Sequence, residues 1–67
     1  MNRDELIRRL RRYARSRGLP LEIDTSRGKG GHAVVRLGDR RSVVPSGQLK
    51  RGTLAGIIKQ LGLEEGF

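Results

Sequence analysis

The sequence contains no cysteine and no tryptophan, and its 67 residues include a single histidine, His32. Without cysteine, neither a disulfide nor a thiolate zinc site can stabilise the fold, and one histidine is too few for a histidine metal cage. No apolar run approaches the roughly 18–20 residues that a membrane span needs, and no signal-peptide-like apolar segment follows Met1. We therefore expect one small cytoplasmic domain, residues 1–67, that uses no metal or cofactor, does not associate with membranes and gains stability from a partner or from self-association.

Acidic and aromatic residues are also scarce. Seven Asp and Glu stand against fifteen Lys and Arg, which gives a formal charge of +8. Such a charge attracts polyanions, with nucleic acid as the first candidate and an acidic protein as the second. Tyr13 and Phe67 are the only aromatic residues, which disfavours base stacking as the main binding mode. The carboxylates at Glu22, Asp24 and Asp39 are too few and too scattered for a two-metal nuclease.

The first eighteen residues predict an amphipathic helix that Asn2 caps and Gly18 ends. Its apolar stripe, at helical spacing, consists of Leu6, Ile7, Leu10, Tyr13 and Ala14. The opposite side carries Arg8, Arg11, Arg12 and Arg15. These arginines predict a solvated face, or a strip that faces RNA or a protein partner.

The middle of the chain predicts a three-stranded antiparallel meander. Residues 19–24 alternate in polarity, residues 32–37 are rich in β-branched side chains, and residues 40–44 follow a two-residue turn at Gly38-Asp39. A second helix begins near Gly52 and ends at Gly62, with Leu54, Ile57, Ile58 and Leu61 in its stripe. We expect an α+β fold in the order α-β-β-β-α, with both helices on one face of the sheet and the other face open.

The loop before the second predicted strand is rich in glycine and basic residues. It has the sequence Arg27-Gly28-Lys29-Gly30-Gly31 and leads directly into His32. Its glycines allow backbone amides to approach an anion, although the spacing matches neither a Walker loop nor a dinucleotide fingerprint. His32 is the one side chain of the type that exchanges protons near neutral pH. RNA brings its own nucleophile, the 2′-hydroxyl, so a base, cations on the phosphate and a proton for the leaving oxygen suffice for cleavage.

Several basic residues are candidates for contact with phosphate. Arg27, Lys29, Arg36 and Arg41 surround the predicted glycine loop and open sheet face. Lys50 and Arg51 come next, because the backbone amides at the start of a helix attract anions.

Four segments resemble the HicA family of bacterial toxins, small mRNA interferases of type II toxin–antitoxin systems. They are Arg27-Gly28-Lys29-Gly30-Gly31-His32, Val43-Val44-Pro45, Leu49-Lys50-Arg51-Gly52-Thr53-Leu54 and Ile57-Ile58-Lys59-Gln60-Leu61-Gly62. The resemblance covers nearly the whole chain and implies a single HicA-like toxin domain with a fold like the double-stranded RNA-binding domain. It also implies that His32 is catalytic, that no metal or cofactor is needed, and that a HicB-type antitoxin inhibits the enzyme.

The chain departs from the family pattern at three places. The family commonly has a serine where Gly31 stands, and an aromatic residue in the first strand where this chain has Leu21 and Ile23. The connection after the first helix is also longer. Two other functions remain open: a non-catalytic RNA-binding module, and a domain whose basic surface mainly docks an acidic protein.

Overall fold

The computed structural model describes residues 1–25, 31–63 and 67. The elements are α1 (Arg3–Arg17), β1 (Leu21–Asp24), β2 (Ala33–Leu37), β3 (Arg40–Val44) and α2 (Arg51–Leu61). The predicted α-β-β-β-α order is confirmed. No helix in the described part of the chain is long and apolar enough to cross a membrane.

Both helices begin and end close to the predicted residues. The Asn2 side chain accepts a hydrogen bond from the backbone N–H of Glu5 at 2.8 Å, which satisfies one of the amides that a helix start leaves without a partner. Gly18 ends α1 and Gly62 ends α2, each in the left-handed conformation. α2 begins at Arg51, slightly earlier than the sequence predicts.

The three strands form an antiparallel sheet in the order β1-β2-β3, so each strand pairs with the next one along the chain. Val35 of β2 lies opposite Ile23 of β1 and Ser42 of β3. The turn between β2 and β3 consists of two residues, as predicted, and only Gly38 in it has a positive φ, which is typical of a type II′ turn.

Strand alternation separates a buried face of the sheet from an open one. The core joins the inward face of the sheet to both helices and consists of Leu6, Leu10, Ala14, Val35, Leu37, Val44, Leu49, Ile57 and Leu61. Ser42 is the buried polar residue of this face, and its hydroxyl donates a hydrogen bond to Gln60 Oε1 at 2.5 Å. The alternation in residues 19–24 predicts that Leu19 shares the inward face with Leu21 and Ile23. This prediction is wrong, because Leu19 lies before β1 and is exposed. The helices therefore cover one face and leave the other to solvent.

Candidate functional site

His32 lies immediately before β2, which begins at Ala33, one residue later than the sequence predicts. Its side chain is exposed, whereas the neighbouring Ala33 is completely buried. Val35 and Leu37 follow on the buried face, and Arg36 lies on the open face. The imidazole is therefore accessible from solvent and is no part of the core.

Gly31, the residue before His32, is bonded to the start of α1 and lies close to Ser46. Its carbonyl oxygen accepts a hydrogen bond from Arg3 Nη1, at the start of α1, at 2.5 Å. On its other side lies Ser46, and a Cβ added to Gly31 would come within 3.0 Å of the serine Oγ. Gly31 also has a φ of 82°, a backbone conformation that residues with a Cβ rarely adopt. A glycine is required here, where the HicA family commonly has a serine.

This packing predicts that Gly31→Ala destabilises the protein more than Gly47→Ala does. Both glycines have a positive φ, so both substitutions carry the same kind of backbone strain, of order 1–3 kcal/mol. An added Cβ has no neighbour within 4 Å at Gly47, whereas at Gly31 it meets Ser46. Thermal unfolding of the two variants measures the difference. Adding Ser46→Ala to the Gly31 variant should recover part of the loss, and equal destabilisation by the two single substitutions would contradict the contact.

The N-terminal segment 1–3 lies antiparallel to segment 47–49, at the connection between β3 and α2. Asn2 and Gln48 form an isolated β-bridge. The flanking hydrogen bonds run from Arg3 N to Gly47 O at 3.0 Å and from Leu49 N to Met1 O at 2.9 Å. Together with the Arg3 side chain on Gly31, these bonds join the start of α1 and the connection before α2 into one support beside His32.

The sequence analysis did not identify Arg3 or Ser46 as part of the site. Arg3 and Gly31 are 28 positions apart, and no local spacing or motif connects them. The contact arises because the fold brings the first residue of α1 next to the segment that precedes β2. A sequence pattern carries no information on such a pairing.

The structure brings the predicted phosphate-binding residues Arg36 and Arg41 together on the open face of the sheet. They lie directly opposite each other on β2 and β3. Glu22 of β1 lies on the other side of Arg36, and its Oε1 is 3.9 Å from Arg36 Nη1. Because both side chains of this ion pair are more than half exposed, the pair contributes little stability, and an incoming phosphate can compete with the carboxylate.

The predicted residues Lys50 and Arg51 lie at the start of α2, and both are exposed. Lys50 occupies the N-cap position without a side-chain hydrogen bond to the helix, and the first turn contains no acidic residue. The first turn of α2 therefore offers no carboxylate of its own to the positive end of the helix dipole. Lys50 follows Ser46 by four residues, so their Cα atoms are at most about 14 Å apart. The α2 start is thus tethered close to Gly31.

Four predicted site residues lie outside the part of the chain that the structure describes: Arg27, Gly28, Lys29 and Gly30. The described site therefore consists of His32, its supports at Gly31, Arg3 and Ser46, and the cations Arg36, Arg41, Lys50 and Arg51. Within residues 1–25, 31–63 and 67, no three His, Asp or Glu side chains come together as a metal-binding group.

Comparisons of the chain with protein-family models, with curated proteins and with solved structures find no match. The function is therefore argued from the residues and the geometry of the site. The decisive features are an exposed imidazole, a glycine with a positive φ before it, and four exposed cations on neighbouring elements.

Proposed function

We propose that this protein is a metal-independent endoribonuclease, an mRNA interferase toxin of a type II toxin–antitoxin system. The observation that carries the proposal is the exposed His32 imidazole beside Gly31, whose carbonyl oxygen Arg3 holds by a hydrogen bond and which lies close to Ser46. A group that transfers protons must be held within hydrogen-bond reach of its substrate, and a fixed backbone beside it serves that purpose. The resemblance of the sequence to the HicA family points to the same residue.

The chemistry uses the 2′-hydroxyl of RNA as the nucleophile. Its oxygen attacks the adjacent phosphorus while the bond from phosphorus to the 5′-oxygen breaks, which leaves a 2′,3′-cyclic phosphate and a 5′-hydroxyl. His32 either accepts the proton of the 2′-hydroxyl or donates one to the departing 5′-oxygen, as general base or acid. A second group, so far unassigned, completes the proton transfer.

The cations of the site stabilise the charge that develops on the phosphate. Arg41 and Arg36 lie on the open sheet face, and Lys50 and Arg51 add charge at the exposed α2 start. Fixed positive groups aimed at developing negative charge lower the barrier more than mobile ones do, because they need no reorganisation during the reaction. Arg27 and Lys29 belong to the same proposed phosphate-binding set.

The proposed biological setting follows the HicA resemblance. The substrate is mRNA in the cytoplasm, and the inhibitor is a HicB-type antitoxin that covers the region of His32. The formal charge of +8 suits both an RNA substrate and an acidic inhibitor, since either partner neutralises the same surface. Self-association, or a hetero-oligomer with the antitoxin, is part of the proposal.

The proposal is tested by incubating the purified protein, in excess chelator, with an RNA oligomer and with its all-deoxy counterpart. We expect cleavage of the RNA alone, with cyclic phosphate ends, because the DNA lacks the attacking hydroxyl. An RNA with one 2′-O-methyl group at the cleaved position should resist cleavage at that position only. Cleavage of the DNA, or loss of RNA cleavage in chelator, would contradict the mechanism.

The second candidate is a non-catalytic RNA-binding module on the same open sheet face. Val43 is exposed on the same sheet face as Arg36 and Arg41, which favours this function. A surface that only binds RNA needs apolar and charged contacts and no catalytic group. Binding and product formation should therefore be measured in the same reaction. Tight RNA binding with no cleaved product, under conditions where the protein is folded, would replace the nuclease with this module.

A further inference from the structure

The outer face of α1 carries a concentration of positive charge that the proposed nuclease site does not use. Its exposed arginines are Arg8, Arg9, Arg11, Arg12 and Arg15, and the acidic residues of α1 are confined to its first turn. Five pairs of these arginines stand three or four positions apart: Arg8–Arg11, Arg8–Arg12, Arg9–Arg12, Arg11–Arg15 and Arg12–Arg15. Like charges at this spacing destabilise a helix, so the face carries a cost that a bound polyanion would remove.

This face lies on the opposite side of the molecule from the open face of the sheet. Leu6, Leu10 and Ala14 turn one side of α1 onto the sheet, which directs the arginines away from it. Arg36 and Arg41 project from the other side of the same sheet. An RNA strand on the open sheet face therefore cannot contact the outer arginines of α1 at the same point, and the arginines need a separate partner.

An aromatic recess adjoins the arginines. It has a volume of about 530 Å³ and is lined by Arg9, Arg12, Tyr13, Ser16 and Phe67. The two rings meet edge to face, with centroids 5.5 Å apart, and Arg9 Nη1 donates to the backbone oxygen of Phe67 at 3.3 Å. The guanidinium of Arg17 lies 4.6 Å from the centroid of Tyr13, over the ring. Because Arg17 covers one face of the Tyr13 ring and Phe67 contacts the ring edge to face, little ring surface is left for a stacked base, and the recess suits an apolar side chain better.

We propose that the outer face of α1 is a docking surface for an acidic polypeptide. Arg8, Arg12 and Arg15 follow each other at i, i+4 and i+7, a spacing that an acidic helix matches with carboxylates at the same intervals. An apolar side chain of that helix enters the recess that Tyr13 and Phe67 line. A second copy of this chain does not fit, because it would present the same positive face. The surface is independent of the nuclease activity of His32.

The test compares two variants with equal loss of charge. In the first, Arg8→Gln, Arg12→Gln and Arg15→Gln remove the α1 charges while keeping helix propensity nearly unchanged. In the matched control, Arg36→Gln, Arg41→Gln and Arg51→Gln remove three charges from the proposed RNA side. The probes are a synthetic helical peptide with glutamates at i, i+4 and i+7 and one leucine, a scrambled peptide of the same composition, and a single-stranded RNA oligomer.

We expect the α1 variant to lose at least tenfold in affinity for the ordered peptide while its RNA affinity falls less than threefold. The control should show the reverse, and the unmodified protein should prefer the ordered peptide to the scrambled one. Equal loss of peptide affinity in both variants would overturn the proposal, since it would indicate diffuse charge attraction. A larger loss of RNA than of peptide affinity in the α1 variant would also overturn it, by making this face an RNA site. Binding assays report these results whether or not the protein cleaves RNA.

Discussion

Replacing His32 with glutamine is expected to slow RNA cleavage by about 10²–10⁴-fold, the range that a positioned proton-transfer group contributes. Glutamine is polar and similar in reach, but it cannot exchange a proton near neutral pH. Because the His32 side chain is exposed, its replacement should change the free energy of unfolding by no more than about 0.5 kcal/mol. Single-turnover cleavage of a labelled RNA oligomer measures the rate.

Arg41→Gln provides the control for His32→Gln. Its side chain is also exposed, on the open sheet face, and its loss removes a phosphate contact while leaving proton transfer intact. We expect this variant to bind RNA more weakly and, at saturating protein, to lose less of its cleavage rate than the His32 variant does, because it keeps proton transfer and removes one of several cations on the phosphate. If the His32 variant cleaves RNA as fast as the unmodified protein does, the catalytic group lies elsewhere and the proposed mechanism is wrong.

Leu10→Ala is expected to destabilise the protein by about 2–5 kcal/mol, the usual cost of truncating a fully buried leucine. Leu10 is completely buried in the core beneath α1. A domain of this size rarely has more than about 3–5 kcal/mol of stability, so this one substitution should leave much of the protein unfolded at 37 °C. Urea titration followed by circular dichroism measures the loss.

Leu19→Ala is the matched control for Leu10→Ala, because it removes the same atoms from a leucine that is 39% exposed and outside the core cluster. Its expected effect is below about 1 kcal/mol. Similar destabilisation by both substitutions would contradict the assignment of Leu10 to the core and of Leu19 to the surface. The comparison also indicates how much of the stability of this small domain depends on α1.

The elements could be predicted because each has a strong local pattern. The spacing of Leu6, Leu10 and Ala14 gives α1 its apolar stripe, and Asn2 and Gly18 fix its ends. The β-branched residues in 32–37 predict β2, whose burial then alternates between the two faces of the sheet. The two-residue turn after β2 then determines how β3 pairs with it.

Contacts between distant segments could not be predicted in this way. The hydrogen bond from Arg3 to Gly31, and the pairing of Asn2 with Gln48, depend on how α1 crosses the sheet. Glu22 is recognisable in the sequence as a residue of the open face, but its position opposite Arg36 follows only from the strand register. These tertiary contacts fix the surroundings of His32.

Gly31 illustrates the limit of a family resemblance. The HicA family commonly has a serine at this position, so the sequence alone indicates only that a hydroxyl group is missing here. In the structure the position has a φ of 82° and lies against Ser46, so a serine would be strained there. The hydroxyl of Ser46 occupies the neighbouring space.

The register of β1 on β2 leaves the segment between them free to change in length. β1 ends at Asp24, which lies opposite Val34 near the start of β2, and both strands are held by their own pairing and by the core. Closing a flexible loop becomes only about 0.6 kcal/mol costlier when its length doubles. Insertions or deletions between Asp24 and Ala33 would therefore leave the scaffold intact. Under the proposed function, they would change the basic sequence that precedes His32, and with it the substrate preference, without a redesign of the rest of the molecule.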